Sequence, residues 1–239
     1  MLFIIYYHII ELSILDKKIL ILLPIWKREA ITKICFDNLK ELQKDFNIEV
    51  LCIVSEQWSK LLAFEYGFKY VKASNECLGT KLNIGVKESL KYDYDYLMNL
   101  GSDDIITKEL LFHYEKYFNN NHPFFGSTRL TFVNSKEKTL KTCDYQVMIG
   151  AGRCIRRDVL KETLERGELY DKIDKGLDLN SMSKFRCMMS EIKNPFDTIY
   201  DIKSDINIWT YDNIGGDGVE FERGSKGLTT KQIDKIIEL

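Results

Sequence analysis

The chain has 239 residues, 45% of them hydrophobic and 29% charged, which suits one sizeable core and excludes a disordered or low-complexity protein. A net charge of −2 and a pI near 6.0 leave no global basic field and no strong nucleic-acid signal, with Arg153, Arg156 and Arg157 as local anion contacts. The six cysteines form no CxxC pair and no zinc-ribbon spacing, and Cys52 sits inside the apolar run 50–54, so they read as reduced core residues of a cytoplasmic protein.

Residues 1–10 are strongly apolar, but Glu11 interrupts them and Asp16-Lys17-Lys18 follows, so the run is too short to span a bilayer. It also lacks the basic start and small-residue cleavage site of a signal peptide. It reads as an extra strand or a variable extension over 1–17, with peripheral membrane contact as a further reading. Then Ile19-Leu20-Ile21-Leu22-Leu23, ending at Pro24, reads as a buried parallel strand. Apolar positions at Ile31, Ile34, Cys35, Leu39 and Leu42 predict a helix over 30–44. A strand over 48–54, a helix over 57–66 closed by Gly67, a strand over 68–71, a helix over 78–90 and a strand over 94–100 follow, then a helix over 110–118. Alternating strands and helices predict an α/β protein with a parallel sheet between helical layers. The second half is less regular. Strands are expected over 123–133, 145–149, 199–202 and 206–209, and helices over 157–166, 177–191 and 230–237, with a Gly-rich stretch after Tyr211.

The strand over 94–100 runs into Gly101-Ser102-Asp103-Asp104. Carboxylates delivered to the carboxyl edge of an open sheet lie where such sheets bind ligands, and paired acids suit a hard divalent cation serving a phosphate-bearing substrate. The alternative at this point is that Asp104 or Thr107 caps the helix that follows.

Five more motifs stand in order around that acidic turn: Leu23-Pro24-Ile25-Trp26-Lys27-Arg28, Val54-Ser55-Glu56, Gly79-Thr80-Lys81-Leu82-Asn83-Ile84-Gly85, Gly150-Ala151-Gly152-Arg153 with the helix start Arg156-Arg157, and Lys175-Gly176-Leu177-Asp178. Their order over residues 18–209 resembles the GT-A glycosyltransferases, in particular the broad family-2 type that uses nucleotide-diphosphate sugars. The resemblance implies a GT-A, Rossmann-like three-layer sandwich with a mostly parallel central sheet. It implies that Pro24 and Arg28 border the nucleotide and that Glu56 meets uracil or ribose. Lys81 would favour an anion beside a helix N-terminus, Asn83 would reach base or ribose, and Gly85 would let that helix approach the sheet. Asp104 becomes the ligand of Mn²⁺ or Mg²⁺, Asp103 binds ribose or assists the metal, and Gly152 borders the sugar. Gly101 replaces the first acid of the family's Asp-x-Asp. Asp178 matches the acid that removes the acceptor's proton, with Asp174 as its substitute, while a helix-capping role for Asp178 stays open. Some members use a late histidine on the metal; none follows His122 here, which leaves Asp212 or Asp217 to close over the diphosphate.

The expected activity is metal-dependent transfer of a sugar from a nucleoside-diphosphate sugar, UDP by default, to a hydroxyl acceptor with inversion. The acceptor is a saccharide, a lipid carrier, a protein or a modified base. The catalytic domain is expected over 18–211, divided at 104/105 into nucleotide and acceptor halves, with 212–239 as a Gly-rich loop and short helix. A non-catalytic degenerate domain that binds a partner or glycan is the alternative. A sugar nucleotidyltransferase is disfavoured because residues 24–29 hold no glycine, and a Rossmann dehydrogenase because no GxGxxG follows the first strand.

Overall fold

A computed structural model of the chain describes residues 16–185, 189–192, 198–203, 211, 214, 219–220 and 227–239. The apolar segment 1–15, the strand expected over 206–209, and Asp212 and Asp217 lie outside the described residues.

The first half alternates as its apolar pattern dictates: β1 (Ile19–Pro24), α1 (Glu29–Leu42), β2 (Ile48–Val54), α2 (Gln57–Glu65), β3 (Lys69–Lys72), α3 (Leu78–Ser89) and β4 (Tyr96–Asn99). Successive side chains of β1 leave opposite faces of the sheet, and both faces are covered. Ile19, Ile21 and Leu23 pack into one core with Phe36, Leu39, Leu110 and Tyr114. Leu20 and Leu22 enter a second core with Leu82, Val86, Val159 and Leu160. Each such burial contributes roughly 1.5–3 kcal/mol, which is why a continuous apolar run holds the middle layer.

The second half adds β5 (Asp104–Ile106), α4 (Lys108–Asn119), β6 (Phe124–Ser127), β7 (Arg129–Asn134), β8 (Thr139–Asp144), β9 (Arg153–Arg156), α5 (Arg157–Glu165), α6 (Leu177–Met182), β10 (Met189–Ile192), β11 (Ile199–Lys203), β12 (Val219–Glu220) and α7 (Thr230–Ile237). Among the described residues the central sheet has seven strands in the order β10-β6-β9-β4-β1-β2-β3. Only β9 runs against its neighbours β4 and β6, so the sheet is mostly parallel. The chain is the expected three-layer α/β sandwich. A second sheet, β12-β8-β7-β11-β5, stands beside the acidic turn.

Several second-half expectations are corrected. Residues 123–133 are two strands, not one: after Ser127 the chain leaves the central sheet, and β7 belongs to the second. Residues 145–149 are not a strand but a loop, held by Tyr145 N–H on Thr128 O at 2.7 Å and Ile149 N–H on Ser127 O at 2.9 Å. The strand at this place is the more polar β8, where Leu140 is buried beneath a ladder to β7. The helix expected over 177–191 stops at Met182; a single 3-10 turn, Ser183–Phe185, follows, and β10 extends the central sheet. Helix α7 docks Ile236 against Ile31 and Ile34 of α1, and Lys235 pairs with Asp37.

Candidate active site

A cavity of about 780 Å³ opens at the carboxyl ends of β1 and β4, lined there by Leu22, Pro24, Asn99 and Leu100. That is where an open α/β sheet binds its ligands. Asp103, Asp104, Asp174 and Asp178 all reach it, and so do Arg153, Tyr170, Asp201 and Lys203.

The acidic turn is tightly built. Asp104 does not cap α4: its Oδ2 accepts the Gly101 N–H at 2.7 Å, and the helix starts behind Thr107, whose hydroxyl makes no cap. A Cβ placed on Gly101 would lie 2.8 Å from both Asp103 Oδ1 and Asp104 Oδ2, so the two carboxylates fold back over the glycine. Asp103 Oδ2 accepts from the Arg28 guanidinium. Arg28 is aimed there by a strained turn, since Lys27 and Arg28 adopt φ of 54° and 57°, a region non-glycine residues rarely enter. The Lys27 N–H bonds Glu56 Oε2 at 3.1 Å, which ties the β1 turn to the β2 turn. Asp104 is 7% exposed, and burial followed by the charges of Asp103 and Asp201 pushes its carboxyl well above the usual carboxylate range. Asp201 stands opposite it on β11 and is pushed up to about 6 by burial and Asp103, against the pull of Lys203.

Asp178 sits on the first turn of α6 but does not cap it; the cap position is Gly176, at φ 72°. Its carboxylate and its carbonyl both accept from Arg153, at 2.9 and 3.0 Å. Arg153 is 1% exposed, stacks on Phe124 at 5.7 Å, and keeps its Nε without a partner. Gly150 leaves the room: a Cβ there would lie 2.1 Å from Asp178 Oδ1. Burial first, then the neighbouring Cys143, Asp201 and Asp178, push the Tyr145 phenol up to about 12.

Other expected site residues shape the cavity from outside it. Lys81 is 2% exposed and turns inward, donating to Ile25 O, to Ser55 Oγ at 3.2 Å and to Asn75 Oδ1 at 2.6 Å. Burial lowers its ammonium to about 8, against the pull of Glu56. The α3 N-terminus beside it is already met by the chain itself: Leu78 N–H donates to Asp174 Oδ1 at 2.8 Å and Gly79 N–H to Ile173 O at 3.0 Å. Asn83 holds Tyr170 through both backbone groups, at 2.7 and 3.0 Å. Gly85 does let α3 approach the sheet, because a Cβ would lie 2.3 Å from Ile53 Cδ1. Gly152, at φ 71°, bonds Asn99 O at 2.8 Å and turns the chain into β9. Arg156 pairs with Asp158 at 2.6 Å and Arg157 bonds Leu90 O at 3.2 Å, both away from the cavity lining.

Sequence reasoning missed Asn99, Tyr170, Asp201 and Lys203. Asn99 donates to the Tyr170 hydroxyl at 2.8 Å and keeps a buried, unpartnered Oδ1. A signal for the other pair was present: in Ile199-Tyr200-Asp201-Ile202-Lys203, charges alternate with apolar residues in a strand buried along its whole length.

No protein-family model matches the chain, and no curated protein does. Among solved structures it is similar to the crystal structure of S. aureus TarS, a staphylococcal glycosyltransferase, with a TM-score of 0.59 at 15% identity over 77% of this chain and 36% of TarS. The chain shares its fold with that part of TarS. The chain spans about a third of the length of TarS, and at 15% identity the likeness is one of fold. Among the described residues no helix is long and apolar enough to cross a membrane.

Proposed function

We propose that the chain is a metal-dependent glycosyltransferase that moves a sugar from a nucleoside-diphosphate sugar, with UDP as the nucleotide, to a hydroxyl acceptor with inversion. The observation that carries this reading is one cavity at the carboxyl edge of the sheet, lined both by the crowded acids Asp103, Asp104 and Asp201 and by the half-exposed Asp178.

The donor set supports Mg²⁺ or Mn²⁺. These cations commonly sit on one or two carboxylates, with phosphate oxygens and water completing the shell. Asp104 would hold the ion, and the buried Oδ1 of Asp201, which has no partner, lies on the facing strand. Bound there, the ion would neutralise charge on the departing nucleoside diphosphate. Pro24 and Glu56 border the nucleotide side, Arg28 fixes Asp103 toward ribose or metal, and Lys81, Asn83 and Gly152 hold the walls. Asp178, oriented by Arg153, takes the proton of the acceptor hydroxyl as its oxygen bonds the anomeric carbon. The sugar–phosphate bond breaks with its electron pair going to the diphosphate oxygen.

A second reading, a non-catalytic domain that binds a partner or glycan, has one observation in its favour. Among the described residues no group of three or more His, Cys, Asp or Glu is gathered closely enough to hold a metal ion. Thermal melting with UDP, GDP, CDP and TDP, each with and without Mn²⁺, separates the two. A selective, metal-dependent rise is expected, because a ligand bound only by the folded state raises its apparent stability. No shift with any nucleotide rejects the transferase reading in favour of the binding domain.

A further inference from the structure

Asp201 and Lys203 lie two residues apart on β11, so both side chains leave the same face of the strand. Ile202 between them packs with Ile31, Ile105 and Val133. The Lys203 ammonium and the Asp201 carboxylate meet at 2.6 Å, and the two residues are 8% and 9% exposed. On its other side the ammonium lies 5.0 Å from the centre of the Phe132 ring. Strand β11 is stitched to the acidic turn: Asp201 stands opposite Asp104, and the Ile202 N–H bonds Asp103 O at 2.9 Å.

A buried ion pair is an expensive wall, because apolar side chains of the same volume are commonly as stable or more so. Here it also adds a third acid to a cluster that already holds two. With all three carboxylates ionised, as a bound cation would hold them, Asp103, Asp104 and Asp201 outnumber Arg28 and Lys203 by one charge. With a divalent cation on Asp104 and on the unpartnered Oδ1 of Asp201, the excess becomes positive. Lys203 then shares its counter-charge and faces the cavity as a cation. An ammonium is a compact point charge with three donors, suited to phosphate oxygens. Two residues of strand rise separate Asp201 from Lys203, roughly 7 Å along β11. A long lysine arm covers that span, so metal and ammonium would reach the same diphosphate from two points.

We propose that Lys203 is a phosphate-binding residue, parked on Asp201 in the free protein and transferred to the diphosphate of a bound nucleoside diphosphate. This rests on the transferase reading. The test is calorimetric titration of the wild type, Lys203→Met and Lys203→Arg with UDP, GDP, CDP, TDP and inorganic pyrophosphate, and with the parent nucleosides as phosphate-free controls, with and without Mn²⁺. Lys203→Met is expected to weaken the preferred nucleoside diphosphate by about tenfold or more, as loss of one charge-assisted contact should. Nucleoside affinity should stay within about twofold, and Lys203→Arg should keep most of the diphosphate affinity. Nucleoside-diphosphate binding by Lys203→Met within about twofold of wild type overturns the inference and leaves the transferase reading standing. A wild type that binds none of these nucleotides overturns the transferase reading, and this inference with it. Lys203→Met strands a buried carboxylate, so where it does not fold, Lys203→Gln, which keeps a donor for Asp201 and loses the charge, takes its place; the same loss supports the inference and its absence rejects it.

Discussion

The two groups of carboxylates that share the cavity are built in opposite ways. Asp104 and Asp201 are 7% and 9% exposed, stand opposite each other in a β ladder, and are raised by burial and by neighbouring acids. The Asp178 side chain is 56% exposed, sits on a six-residue helix, and answers to one guanidinium. In the first group, carboxyl groups are crowded together in a β ladder where water screens them poorly. That suits a partner cation. In the second, a half-exposed acid on a short element can meet an incoming acceptor and pass its proton on. The difference assigns opposite sensitivities. A substitution among the buried acids should act on metal and nucleotide binding, and one at Asp178 should act on turnover.

The largest effect is expected from Asp104→Asn. It should abolish the metal-stimulated part of nucleoside-diphosphate binding, while the ligand-free melting temperature holds or rises because a crowded buried charge has gone. Melting with and without Mn²⁺ reads both, and unchanged metal stimulation removes Asp104 from the site. Asp178→Asn comes next. Donor affinity should stay within about twofold while turnover falls by at least about a hundredfold, the lower range for loss of a positioned base. Near-normal turnover would move the base elsewhere, with Asp174 the other acid on that wall of the cavity, although its Oδ1 already receives the Leu78 N–H.

How far the sequence could be read follows the same division. The central layer was legible because Ile19 to Leu23 and Val50 to Val54 are apolar on both faces, and only a covered parallel sheet buries them so. The acidic turn was legible because an apolar strand delivers it to a sheet edge. The cavity's other walls were not. β8 carries Lys141 and Asp144, so nothing in its composition announces a strand; its place is set by pairing with β7. Lys81 and Asn83 were read as ligand contacts from their helix-start motif, but whether such a side chain faces a pocket or a neighbouring loop depends on loops that return from far along the chain. Tyr170, which occupies both atoms of the Asn83 amide, is 87 residues away. Asp201 joins Asp104 only because β11 returns antiparallel to β5, a pairing no local pattern specifies.

A smaller effect would sharpen the contrast at Asp178. A methyl on Gly150 would lie 2.1 Å from Asp178 Oδ1 and 2.7 Å from its Cγ, far inside contact distance. The neighbour that must give is the end of a half-exposed side chain, so the fold should tolerate Gly150→Ala with a melting shift of only a few degrees. The carboxylate would leave the Arg153 fork, and turnover should drop by about tenfold from misplacement alone. Donor binding with Mn²⁺ should be untouched. A loss of donor binding equal to the loss of turnover would show that the two groups of acids are not separable.

The smallest effect concerns the buried cation on the nucleotide side. Lys81 reaches Ile25 O, Ser55 and Asn75, so it pins the turns after β1 and β2 to the loop after β3. Its ammonium is lowered by burial from 10.5 to about 8. Between those values the unfolded chain binds the proton and the folded one releases it, so stability must rise with pH across that window. Below pH 8 the cost of holding the cation inside is fully present, and it is relieved as pH climbs toward 10.5. The gain between pH 7 and 9 is about 1 kcal/mol, or roughly 2–4 °C in a protein of this size. Lys81→Met lacks the titrating group, so the melting temperature of the wild type relative to this variant should climb with pH. A constant difference would mean that Lys81 titrates as an exposed lysine, and that the three turns are held by packing rather than by its charge.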